Sequence, residues 1–342
     1  MKHEIDLNKY QLRTDLMIES INNQDVPGIS SNNYKKDDIQ ITDVIIDEEG
    51  GKQLNKKVGR YITIEFDDIT DFTNREKVLN VFKEELTKIL KYSNINSNDS
   101  CLVIGLGNEK STPDSLGPIA INNILVTKHL FDIGEVEKGF RNVCAIAPGV
   151  TGTTGIETSD LIKSIVNEIK PNFLIVIDAL ASQSLSRLNK TIQMSNTGIH
   201  PGSGIGNTRK EISKETLNIP VISIGVPTVV DAVTVVSDTI GFMHKHYAFN
   251  KKFINAPISK VVSPNKINYL KKSLEIDNND KSYLLGMIGS LSDSEIRQLI
   301  FEVLTPIGYN LMVTPKEVDF LIVKLSDIIS SGINKVLHEK VN

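Results

Sequence analysis

Two aspartates attract attention because each follows an apolar run. Asp114 lies in GNEKSTPDSLGP, directly after CLVIGLG, and Asp178 ends the run FLIVID. A carboxylate leaving a buried strand must reach a crevice or find partners, and in parallel α/β sheets ligands and catalytic groups collect beyond the carboxyl ends of strands. Two such acids on one crevice could divide acid and base work, one neutral and one ionised. Each also has a plainer use. Asp114 stands before a helix start near Ser115 and could be its N-cap, while Asp178 could be a structural acid accepting N–H bonds from the loop ALASQS. His200, in the glycine-rich GIHPGSGIGN (198–207), is a third polar group or metal ligand on one reading and a backbone-bonded histidine on the other. Glu157, Asp160 and Asp231 stand at apparent helix starts, where capping and dipole complementarity account for them.

Other chemistries lack their residues. No G-x-x-x-x-G-K-[ST] occurs, and neither GLGNEK nor GSGIGN completes a dinucleotide fingerprint. G-x-S-x-G is absent. The two cysteines, Cys101 and Cys144, sit inside apolar runs, without the electropositive, accessible setting of a reactive thiolate, and are too few for a disulfide framework or a four-thiolate zinc site. Carboxylates remain by elimination. Lys plus Arg total 38 against 42 Asp plus Glu, a net charge of −4, which argues against a nucleic-acid partner. There is no 18-residue apolar stretch, and the N-terminus MKHEIDLNKY is charged where a signal peptide would be apolar, so no membrane association and a cytoplasmic protein are expected.

These residues need a scaffold that brings strand ends together. From residue 101 short apolar runs (CLVIGLG, VCAIAP, FLIVIDAL, VISIGVP) alternate with helical segments at 117–130, 157–169 and 231–247. That alternation predicts an α/β fold: a doubly wound, mostly parallel sheet with helices on both faces. Upstream, the polar first 55 residues read as a loosely anchored arm in which only IQITDVII (39–46) alternates like a half-buried strand; RYITIEF (60–66) alternates too. Thr73 and Glu76 are spaced as a capping box for a helix carrying Val78, Phe82, Leu86 and Ile89 on one face. Residues 250–282, rich in Lys, Asn and Ser, predict a surface excursion before additional C-terminal helices near 283–304 and 315–337.

RTDL (13–16), GLGN-x-x-x-TPDSLGP (105–118), APGVTGTTGIETSD (147–160), IDALAS (177–182), GIHPGSGIGN (198–207), IGVPTVVDAV (224–233), GMIGSL (286–291) and NLMVTPKEVD (310–319) resemble, in family order, the germination protease of spore-forming Firmicutes. The resemblance implies a homotetrameric zymogen of the aspartic type that trims its own N-terminus and degrades small acid-soluble spore proteins, located in the spore core. It places the family's catalytic aspartates on Asp114 and Asp178. It implies a propeptide over 1–15, a single peptidase domain over 16–342, and self-cleavage between Asp15 and Leu16. Family sites prefer an acid at the fourth position upstream and Ala as the second residue after the cut, whereas this chain offers Leu12 and Met17. The fold is similar to that of hydrogenase-maturation peptidases, whose corresponding acids bind a metal. No cofactor is therefore expected to be required, with a divalent metal at Asp114 and Asp178 left open and His200 the place to look for a third ligand. A metal-dependent maturation-type peptidase acting on one protein, and a catalytically silent binding module, are the alternatives.

Overall fold

The computed structural model describes residues 14–21, 26–202, 209–253, 278–304 and 311–341. Contacts divide the chain into two compact units, where one domain over 16–342 is expected from the sequence. Of the described residues, the larger comprises 14–21, 26–182, 186–202, 209–229 and 314–341; the smaller comprises 183–185, 230–253, 278–304 and 311–313.

In the larger unit the strands are β1 (Ile29–Lys36), β2 (Ile39–Ile46), β3 (Gly59–Glu65), β4 (Cys101–Gly105), β5 (Val143–Ile146), β6 (Phe173–Ser182), β7 (Thr191–Ser195) and β8 (Val221–Asp231), the last two residues of β8 belonging to the smaller unit. They form a sheet in the order β1-β2-β3-β7-β8-β6-β4-β5. β4 pairs in parallel with β5 and β6, and β1 through β3, β7 and β8 pair antiparallel. Helices α1 (Glu48–Leu54), α2 (Phe72–Tyr92), α3 (Leu116–Ile121), α4 (Lys128–Ile133), α5 (Thr151–Thr154), α6 (Thr158–Ile169) and α7 (Lys214–Leu217) connect these strands.

The α/β reading with helices on both faces is the architecture observed, and the side-chain alternation explains the unbroken apolar runs. Cys101, Val103, Phe173, Ile175 and Ile177 enter one core with Val78, Phe82, Leu86 and Ile89 of α2; their alternates Leu102, Ile104, Leu174 and Val176 enter a second with Ile162 and Val166 of α6. A strand covered on both faces has no polar side, and each such side chain contributes about 1.5–3 kcal/mol by leaving water. The C-terminal helix, Val318–Leu337, joins the α2 core through Ile322, Leu325, Ile329 and Ile333. There a Cβ on Gly332 would lie 2.3 Å from the Phe82 ring, so the helices can approach this closely only at a glycine.

The strand expected over 39–46 is β2, and residues 29–46 are built into the sheet more firmly than a loose arm would be. β1 and β2 form a hairpin with Lys36 opposite Ile39, turned by Asp37 and Asp38, both at positive φ (+48° and +69°) as a two-residue primed turn requires. β1, ISSNNYKK, is polar because it is the exposed edge of the sheet, where polar and lysine residues oppose strand addition. α2 is not capped by the Thr73–Glu76 box: Asp71 is the N-cap, accepting from the Asn74 N–H at 2.9 Å. The helix expected over 117–130 is two, α3 and α4, and Glu157 makes no side-chain cap on α6, where it instead accepts from Thr151 Oγ1 at 3.3 Å. Asp160 pairs with Lys210 at 2.8 Å.

The smaller unit holds α8 (Ala232–Phe253), α9 (Asn278–Leu285), α10 (Asp293–Leu304) and β9 (Met312–Val313), which pairs antiparallel with Val230 and Asp231. Asp231 caps as expected, accepting from the Val233 N–H at 2.7 Å. Of the predicted excursion over 250–282, residues 254–277 lie outside the described residues. With α9 and α10 numbered here, the C-terminal helix is α11. Among the described residues no helix is long and apolar enough to cross a membrane.

Candidate active site

Asp114 reaches the end of β4 by a close backbone approach that only glycine permits. Gly107 has φ +114°, and a Cβ on it would lie 1.9 Å from the Asp114 carbonyl oxygen; a Cβ on Gly105 would lie 2.3 Å from the Gly117 carbonyl. The loop therefore folds back flat on the strand, and the Asn108 N–H donates to both the Asp114 carboxylate (2.9 Å) and its carbonyl (3.0 Å). Pro113 enters the 3-10 turn Thr112–Asp114, and its carbonyl accepts from Thr228 Oγ1 at 2.6 Å. Asp114 is not the cap of α3: that position is Ser115, and no side chain caps this helix start.

Asp178 stands within β6, which runs on to Ser182 rather than ending at the acid. Its neighbours Ile177 and Val176 fall in different cores, which places Asp178 on the α6 side of the sheet. It is 6 % exposed, and its Oδ1 accepts from the Ala179 N–H at 2.9 Å. The Leu106 N–H donates to the Ile177 carbonyl at 2.8 Å, tying the Asp114 loop to the Asp178 strand.

The two acids line one cleft together with Gly107, Gly149, Thr158 and Arg209. Burial pushes the Asp178 carboxyl well above the ordinary carboxylate range, and the charges of Asp114 and Asp15 push it further. Asp114 is raised by burial too, with the Asn108 N–H and the Arg209 guanidinium acting against the rise. The pair therefore favours a state in which Asp178 keeps its proton and Asp114, with its N–H donor and nearby cation, is ionised. Such a pair can give a proton and take one at the same place.

His200 is placed elsewhere: its Nε2 lies 3.4 Å from Glu211, and half of its side chain is exposed. Among the described residues no three His, Cys, Asp or Glu side chains gather so as to hold a metal ion. Residues 203–208 of the glycine-rich loop lie outside the described residues, though Pro201, Gly202 and Arg209 border the cleft. Arg209 gave no sequence signal because it lies in an aperiodic stretch. Cys101 and Cys144 are free thiols in β4 and β5, and burial raises both.

The segment containing Asp15 and Leu16 is docked beside this cleft. The Asp15 N–H donates to the Ala181 carbonyl (3.2 Å), and the Ala181 N–H donates to the Asp15 carboxylate (2.9 Å), three residues beyond Asp178 on β6. Leu16 is fully buried, and Met17 packs with Val44, Ile46 and Tyr61. Glu19 bonds Ser182 Oγ (2.6 Å) and Arg187 (3.3 Å), and the Lys56 ammonium donates to the Thr14 carbonyl (3.3 Å). Gln193, a lone amide in the strand TIQMS, also touches this segment. Thr191 and Ser195 flank it on the same face of the strand, so the amide follows the polar–apolar alternation and gives no signal of its own in the sequence.

The germination protease family model matches residues 7–342. The germination protease of Bacillus licheniformis is 48% identical over 359 residues, covering all of this chain and 97% of that protein. Those of Geobacillus sp. strain WCH70 (47% over 363 residues) and Bacillus cereus strain AH187 (48% over 359) each cover all of this chain and 98% of the relative. A match over residues 7–342, at this identity and length, makes the chain a member of the germination protease family.

Proposed function

We propose that this protease is an aspartic-type endopeptidase that degrades small acid-soluble spore proteins in the spore core during germination, cutting after Glu or Asp and before an apolar residue. The observation that carries the reading is the pair Asp114 and Asp178 on one cleft, with the buried Asp178 in the field of Asp114. In this mechanism ionised Asp114 takes a proton from water as its oxygen attacks the peptide carbonyl carbon. Protonated Asp178 supports the developing oxyanion and gives its proton to the leaving nitrogen as the C–N bond breaks. One water is consumed, a carboxyl and an amine are formed, and proton exchange between the two acids restores the starting state.

The chain is made as a homotetrameric zymogen and processes itself between Asp15 and Leu16. The docking of Asp15 against Ala181 supports this, since it holds an acid–apolar junction beside β6, and Leu16 supplies the large apolar residue after the cut. Incubating the purified full chain with a small acid-soluble spore protein and sequencing the new N-termini tests the reading. Fragments beginning with apolar residues that follow Glu or Asp are expected; an intact substrate, or cuts unrelated to acids, would overturn it.

A further inference from the structure

β7, Thr191–Ser195, is buried throughout, and its Ile192 and Met194 enter the α2 core, so Gln193 stands on the opposite face of the sheet at 8 % exposure. Asp178 is on that same face, because Ile177 beside it enters the α2 core. A buried amide is tolerated when both its donor and its acceptor are used. Gln193 spends both on one short segment more than 170 residues away: its Nε2 donates to the Asp15 carbonyl at 2.9 Å, and its Oε1 accepts from the Met17 N–H at 2.5 Å. The two bonds bracket the Asp15–Leu16 peptide, one on its carbonyl and one on the next amide.

The rest of the segment fixes its direction across the sheet. Asp15 pairs with Ala181 on β6, and Met17 enters the cluster of Val44, Ile46 and Tyr61 on β2 and β3. Gln193 grips the chain between these two anchors. Its register partner on β8 is Gly225, where a Cβ would lie 2.5 Å from Leu180, so the sheet is closely packed beside the grip and leaves the amide little freedom to swing away.

We infer that Gln193 is a positioning residue for self-processing: its N–H holds and polarises the Asp15 carbonyl while its oxygen fixes the Met17 amide, which sets the cut at Asp15–Leu16 rather than at neighbouring acid–apolar junctions such as Asp6–Leu7. This rests on the proposed self-processing and names a residue that sets its site. A donor aimed at a carbonyl that becomes an oxyanion accelerates acyl transfer by roughly 10²-fold, and a grip on both flanks adds fidelity of register.

The test uses the full-length chain with Gln193→Ala and Gln193→Glu, followed by mass spectrometry of intact protein and sequencing of new N-termini. Gln193→Glu retains shape and the acceptor for the Met17 N–H but faces the Asp15 carbonyl with an oxygen. Both variants are expected to process roughly 10²-fold more slowly, and a substantial share of the product should begin at residues other than Leu16. Wild-type rate and an exclusive Leu16 terminus in either folded variant would overturn the assignment, and so would a Gln193→Glu chain that processes normally when Gln193→Ala merely fails to fold. A wild-type chain that never yields a Leu16 terminus would instead remove the self-processing reading beneath it.

Discussion

Replacing Asp178 with asparagine should stabilise the protein more and more as pH rises. In the folded chain Asp178 is buried beside Asp114 and its carboxyl holds its proton well above the usual range; in the unfolded chain it titrates near the model-peptide value of about 3.9. Between those two values the folded state binds the proton and the unfolded state does not. The stability carried by the protonated acid is thus fully present below the unfolded value and is lost as pH rises through the folded one. Each unit by which the folded value is raised removes about 1.4 kcal/mol. Asparagine cannot ionise, yet its Oδ1 can still accept the Ala179 N–H that Asp178 accepts at 2.9 Å. The variant-minus-wild-type difference in unfolding free energy should be near zero around pH 4, climb at up to about 1.4 kcal/mol per pH unit, and level off above the folded value. Urea unfolding of both proteins across pH 4 to 9 measures it. A difference that does not vary with pH, or a wild type favoured at the alkaline end, would refute the reasoning, since either means that ionised Asp178 is compensated by a cation.

The same pair sets expectations for activity. Asp114→Asn and Asp178→Asn should each fold yet lose spore-protein cleavage by roughly 10⁴-fold, as removal of one member of a cooperating unit does; cleavage assays on folded variants check this. In the wild type, kcat should fall as pH rises through the elevated value of Asp178, and a rate that keeps rising with pH would contradict its role as the acid. Gly107→Ala should be destabilised by about 1–3 kcal/mol and should cleave poorly, because its Cβ would meet the Asp114 carbonyl at 1.9 Å; thermal melts and turnover measured together check both. The full-length chain should scatter light as a tetramer at micromolar concentration, and a monomer alone would remove the tetramer reading. Met287 and Ile288 of GMIGSL are exposed apolar residues that such an assembly could cover, whereas VISIGVP lies within β8.

The fold was legible where local pattern and tertiary environment agree. CLVIG, VCAI and FLIVI read as buried strands because every residue, on either face, lies against helices or neighbouring strands. Of the N-terminal hairpin β2 was legible and β1 was not, since β1 is an edge strand whose residues are chosen against pairing rather than for burial, and its turn is Asp37-Asp38 instead of an Asn-Gly pair. The α2 cap was misplaced by two residues because Asp71 and Thr73 are both good caps, and only the chain's entry direction decides between them.

The site shows the same division. Asp178 is visible as a carboxylate interrupting the apolar run FLIVIDALA, whereas Gln193 alternates with Ile192 and Met194 on the same face as Thr191 and Ser195, so TIQMS reads as an ordinary half-polar strand and hides it. Arg209 and Lys56 belong to stretches with no period to interrupt, so a charge there reads as ordinary surface. Yet Lys56 is drawn down by burial and held up by the charges of Asp15 and Glu19, a coupling that exists only because the segment at 14–19 folds back over β6 and β7. An acid inside an apolar strand reveals itself by breaking the pattern, while residues that act on a docked segment break none. Position on the sheet face, which alternation supplies, is what joins the two kinds: Asp178 and Gln193 share the face opposite the α2 core, and that is the face on which Asp15 and Met17 are held.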